Sequence, residues 1–226
     1  PLCYGTFLPL GHMNIRVFLE WFHRLDAFLV GLLILVQFSL SIIWRRFLPK
    51  GLLKIYSFLL FLVVFQGSLG ALTVINTLAS YAVISHLLIA FSLLITATYI
   101  NQNLQNETSL NSKIWWRALL SIPLILTLIQ SAIGVRLSST WSAHLCLSVS
   151  QNCFILNSHK LFALPVTFAI FMIIIVAAID RFLFINNWKF LISILILLGS
   201  QITLGVLSLK TNLNQPLLIV SHQLVA

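Results

Sequence analysis

Runs of about 20 apolar residues recur along the whole chain, and such runs leave few folds open. Each is long enough to cross roughly 30 Å of hydrocarbon. Inside lipid the backbone has no water to bond, so segments of this length should be helices. Strands of a membrane barrel would be about ten residues long and would alternate apolar with polar. No such alternation occurs here. A soluble fold is excluded by composition: 60% of the 226 residues are hydrophobic and only 8% are charged, against about 25% charged in a soluble domain. The predicted fold is all-α and polytopic. Seven helices are expected, at roughly 15–44, 52–75, 79–100, 114–136, 156–179, 188–208 and from 216 to the end of the chain.

The net charge of +9 raises the question of nucleic acid. No basic stripe interleaved with aromatics is present, so nucleic acid is not an expected partner. The basic residues fall instead between the apolar runs, where they set topology. Connections after the first, third and fifth helices carry Arg45, Arg46, Lys50, Lys54, Lys113, Arg117, Arg181 and Lys189. The opposite connections carry Arg16, Arg136, Lys160 and Lys210. The positive-inside rule puts the first group in the cytoplasm. All three cysteines then lie outside, in an oxidising compartment. Cys146 and Cys153, spaced C-x6-C in one loop, are expected to form a disulfide there, with two free thiols as the alternative. Cys3 has no partner in view.

Self-similarity organises the chain further. His23 and His86 are 63 residues apart, and so are His159 and His222. Gln66-Gly-Ser-Leu-Gly70 in one half corresponds to Gln201-Ile-Thr-Leu-Gly205 in the other, and a third Q-x3-G stands at Gln130 and Gly134. The helix carrying that third copy opens the second half and has no counterpart before residue 15. The expectation is two tandem four-helix bundles, 1–106 and 107–226, with a first helix preceding residue 1 and a last helix cut short at Ala226.

A histidine inside a membrane span is rare and usually functional. Singly, each of the four could be a polar residue bonded to a neighbouring helix. Together they form a set, because all four lie on helices that start outside. At 1.5 Å per residue, His23 lies ~12 Å below the start of its helix, His86 and His222 ~10 Å below theirs, and His159 near the mouth. Two imidazoles facing each other across a bundle core suit a haem iron. Zinc would need three or four ligands per site, and neither half offers enough Cys or carboxylate at that depth. Gly67, Gly70, Ala71 and Gly205 would let a porphyrin edge approach a helix, or serve ordinary small-residue packing. Arg24, Lys160, Arg136 and Lys210 lie where haem propionates would need cations, or anchor helix ends by snorkelling. His12 and His144 fall off the helical pattern and are read as solvated loop residues.

The halves differ at one acid. Glu20 lies three residues before His23, on the same helical face, and its repeat position is Leu156. A carboxylate in lipid is costly and should have a task. An ion pair with Arg24 is one, and proton transfer beside a haem is another. On the second reading the first half does chemistry, and the second holds a haem for electron transfer or structure. No role is assigned to Asp26, which could pair with Arg24 or Lys160.

These motifs resemble the haem A synthase family. The resemblance rests on Glu20-Trp-Phe-His23-Arg24, on Gln66 to Val74 followed by His86, on Cys146 to Cys153, on Asn157-Ser-His159-Lys, and on Ser221-His222. It implies an oxidoreductase that converts a ring methyl of haem O to a formyl group by successive hydroxylation and dehydration, giving haem A for cytochrome oxidase. It implies that Glu20 is needed for turnover, that His23 and His86 ligate the substrate haem, and that His159 and His222 ligate a haem b cofactor. It also implies a Cys146–Cys153 disulfide, with Cys3 one member of a first-loop pair. The expected setting is a bacterial plasma membrane with the Cys-containing loops on the extracytoplasmic side. Expected partners are the bilayer, haem O, haem A, haem O synthase and cytochrome oxidase. The rival readings are a bis-histidine dihaem cytochrome for electron transfer, a repeat-built transporter with helices broken at Pro123 and Pro165, and an assembly factor without catalysis.

Overall fold

A computed structural model describes residues 10–76, 79–104, 114–139 and 153–226. Seven α-helices occur among them, and no strand: α1 (Ile15–Ile43), α2 (Leu52–Ile75), α3 (Ser80–Leu104), α4 (Ile114–Ser139), α5 (Phe154–Ile179), α6 (Arg181–Lys210) and α7 (Pro216–Val225). Six of them are long and apolar enough to span a bilayer. The protein is therefore an integral, polytopic, all-α membrane protein. The chain divides into two compact units, Pro1–Leu110 and Asn111–Ala226.

Two boundaries differ most from the sequence reading, and the others lie within three residues of it. The third helix runs on to Leu104, and α6 begins at Arg181, well before the expected 188. Hydropathy marks only the part of a helix that lies in lipid. The apolar window of α6 starts at Asn187, and the turn or two before it is helix outside that window. Asp180, extended at the α5 C-cap, separates it from α5. The proposed helix breaks are absent as well: α4 and α5 continue through Pro123 and Pro165. A proline removes one backbone donor, which a span tolerates when neighbours re-satisfy the freed carbonyl.

Most large side chains point away from the protein, as lipid-facing residues should. Phe61 and Phe168 are more than 60% exposed. Hydroxyls in the spans return to their own helix: Ser57 donates to the Leu53 carbonyl at 3.0 Å, and Ser92 to the Leu88 carbonyl at 3.0 Å. In the first unit the tightly packed core is Ile34, Leu52, Tyr56, Leu59 and Ile100, from α1, α2 and α3. Gly51 begins α2 at φ 89°, in the left-handed region where a side chain is strained. In the second unit, Asn212 and Leu213 turn the chain from α6 to α7 with φ of 50° and 58°.

Leu59, at 2% exposure, anchors the first-unit core. Leu59→Ala is expected to lower stability by about 2 kcal/mol, since the cavity is only partly repacked. Phe61→Ala, on the lipid face, should change it by less than about 0.5 kcal/mol. Reversible unfolding in mixed micelles measures both.

Candidate functional site

Each unit brings two histidines together. In the first, His23 of α1 meets His86 of α3 with ring centroids 6.4 Å apart and planes at 83°. In the second, His159 of α5 meets His222 of α7 at 6.4 Å and 87°. The sequence repeat predicts these two pairs, and the geometry of one is nearly that of the other. No group of three or more His, Cys, Asp or Glu side chains able to hold a metal occurs among the described residues. Among the described residues each site thus offers two imidazoles.

Three of the four rings rest on the Q-x3-G turns. A Cβ on Gly70 of α2 would lie 3.2 Å from Cε1 of His86. On Gly134 of α4 it would lie 3.1 Å from Cε1 of His159, and on Gly205 of α6 2.9 Å from Cε1 of His222. This corrects one expectation. Gly70 and Gly205 are covered by imidazoles, which fill the space that a porphyrin edge was expected to use. Gly67 has nothing within 4 Å and stays open.

The glutamine of each turn meets the same ring, by its side chain in the first two turns and by its backbone carbonyl in the third. Gln66 Nε2 lies 3.3 Å from His86 Nε2. Gln130 Nε2 donates to the His159 backbone carbonyl at 2.9 Å and lies 3.2 Å from His159 Nδ1. His222 Nδ1 is 3.1 Å from the backbone carbonyl of Gln201, which accepts its proton. That bond leaves Nε2 as the nitrogen with a free lone pair. The Oε1 atoms of all three glutamines are buried with no hydrogen-bond partner. Leaving a buried amide oxygen unmet costs about 1–3 kcal/mol. Sequence reasoning used these glutamines only as markers of the repeat. The available signal was their fixed order, with each glutamine 20, 29 or 21 residues ahead of its histidine.

Glu20 and Arg24 form the ion pair anticipated from their i,i+4 spacing, through Glu20 Oε1 and Arg24 Nη2. The Glu20 side chain is 55% exposed. At the matching place in the second unit, Leu156 is buried. Lys160, Arg136, Lys210 and Asp26 are exposed. Cys153 is the N-cap of α5, while Cys3, Cys146 and His144 lie outside the described residues. His12 ends a short 3-10 turn, Leu10–His12.

A family model described as COX15-CtaA, cytochrome oxidase assembly protein, matches residues 7–226. The chain belongs to this family, the haem A synthase family. No curated protein and no solved structure matches the chain. The matched span takes in both histidine pairs, Glu20 and all three Q-x3-G turns.

Proposed function

We propose that this chain is a haem A synthase, oxidising a ring methyl of haem O to a formyl group. The observation that carries the reading is the pair of imidazole pairs at 6.4 Å. A nitrogen ligand stands ~2 Å from its metal and the ring centroid ~1.1 Å behind it, so rings on opposite sides of one iron have centroids ~6.3 Å apart. Both pairs fit that span.

His23 and His86 would hold haem O as substrate, and His159 and His222 would hold haem b. Haem b, when bound, supplies one-electron redox chemistry. The rest falls to the chain. His86, backed by Gly70 and Gln66, sets one side of the substrate site. Glu20 lies one turn from His23 and would take and return protons at its carboxylate while an external oxidant takes four electrons from the methyl carbon over two hydroxylations and the resulting diol loses water to leave the formyl group. Arg24 holds that carboxylate through Oε1. Arg24, Lys160 and Arg136 are the propionate partners in this reading. The buried Leu156 leaves the second unit without an acid at the place that Glu20 holds in the first, which supports a division between a catalytic and a cofactor half. Cys146 and Cys153 would close the outer loop as a disulfide, on the extracytoplasmic face of a bacterial plasma membrane. Haem O synthase and cytochrome oxidase would stand before and after this protein.

The near-identity of the two pairs favours a second reading, a bis-histidine dihaem electron carrier. Cells that make haem O but no haem A separate the two. Expression there should yield extractable haem A, and haem that stays entirely haem O would leave the electron carrier. Glu20→Gln is expected to lower haem A yield at least 100-fold while the haem b spectrum persists, in keeping with loss of a proton-transfer group. His222→Ala should remove the low-spin haem b signal. A reporter fused after Arg46 should read as cytoplasmic and one after Lys210 as external; the opposite pattern would reverse the orientation.

A further inference from the structure

The three Q-x3-G turns are one device used three times. Each presents a glycine to the edge of an imidazole, with hypothetical Cβ contacts of 3.2, 3.1 and 2.9 Å. Each presents a glutamine, by side chain or backbone carbonyl, to a nitrogen of the same ring. Each glutamine keeps a buried, unmet Oε1, which a leucine of similar size would not have. Packing alone would favour the leucine. Gly31, Gly67 and Gly199 lie in the same kinds of helix with nothing within 4 Å. The close approach therefore belongs to these turns and not to helix glycines in general.

We propose that Gln66–Gly70, Gln130–Gly134 and Gln201–Gly205 are seats that fix the rotation of three metal-ligating imidazoles, and that in the second pair, where both rings are seated, they set the crossed angle between the ring planes. This rests on the reading of the pairs as haem ligands. Glutamine and glycine act here as positioning residues. The glycine admits the ring edge, and the Gln66 or Gln130 amide, or the Gln201 backbone carbonyl, selects its rotation about the Cβ–Cγ bond. A hydrogen bond to the nitrogen that faces away from a metal also tunes the ligand's basicity. Crossed imidazole planes leave two iron d orbitals nearly equal in energy, which gives a highly anisotropic low-spin resonance. Planes turned toward parallel split those orbitals and give a rhombic one. The angle is therefore readable without turnover.

The test uses the full chain purified from cells that make haem b but no haem O, so that signal comes from the cofactor haem. Ferric electron paramagnetic resonance and the midpoint potential are measured for the wild type, Gly134→Ala, Gly205→Ala, Gln130→Leu and Gly199→Ala. Wild type and Gly199→Ala should share one highly anisotropic signal. Gly205→Ala, with the closest contact, should retain haem about 10-fold less well or worse, and the haem it keeps should be more rhombic. Gln130→Leu should retain haem with a shifted resonance and a shifted potential. If the alanine variants do not accumulate, Gln130→Leu decides, since it adds no atom at the helix contact. Gln130→Leu with wild-type resonance and potential would overturn the seats while leaving the haem reading intact. A wild-type chain with no Soret absorption would instead remove the haem reading.

Discussion

Lipid offers the backbone nothing to bond, and that constraint shapes this protein at every level. It makes each apolar run a helix. It also removes the usual drive for helices to associate, because a lipid tail is as apolar as a leucine. The exposed Phe61 and Phe168 follow from this. Helices in such a medium are held by close packing and by polar contacts that have no better partner nearby. Imidazole on glycine, with an amide or a carbonyl at hand, is such a contact, and it joins α2 to α3, α4 to α5 and α6 to α7.

The same contacts bear on chemistry. Two rings 6.4 Å apart and nearly perpendicular are an arrangement that free side chains would not keep. It recurs in both units, and repeated turns back three of the four rings, those of His86, His159 and His222. Against this symmetry stand an exposed acid in one unit and a buried leucine in the other, and the unseated ring of His23 where His159 rests on Gly134. An ionic pair on the first helix and an apolar contact at the matching place suit different tasks.

Much of this was legible in the sequence. Apolar runs located the helices, because a span must hide its backbone over a known thickness. The start of α6 was missed because Arg181 to Asn186 is helical outside the apolar window that marks the span. The histidine pairs were legible from the 63-residue spacing repeated in each half. What Gly70 and Gly205 face was not. A small residue states that something comes close, and the choice between a macrocycle and a neighbouring imidazole depends on where the next helix sets its side chain. The unmet oxygens of Gln66, Gln130 and Gln201 were hidden for the same reason, since burial between helices is not written in periodicity.

In all three cases the receiving turn lies on the helix that comes earlier in the chain. A polypeptide enters the bilayer in the order of its synthesis, N-terminal parts first. The hollow over Gly70, Gly134 or Gly205 is thus made before the imidazole that will cover it. Each later helix meets a prepared mate on arrival, and its polar ring has somewhere to go as soon as it leaves water.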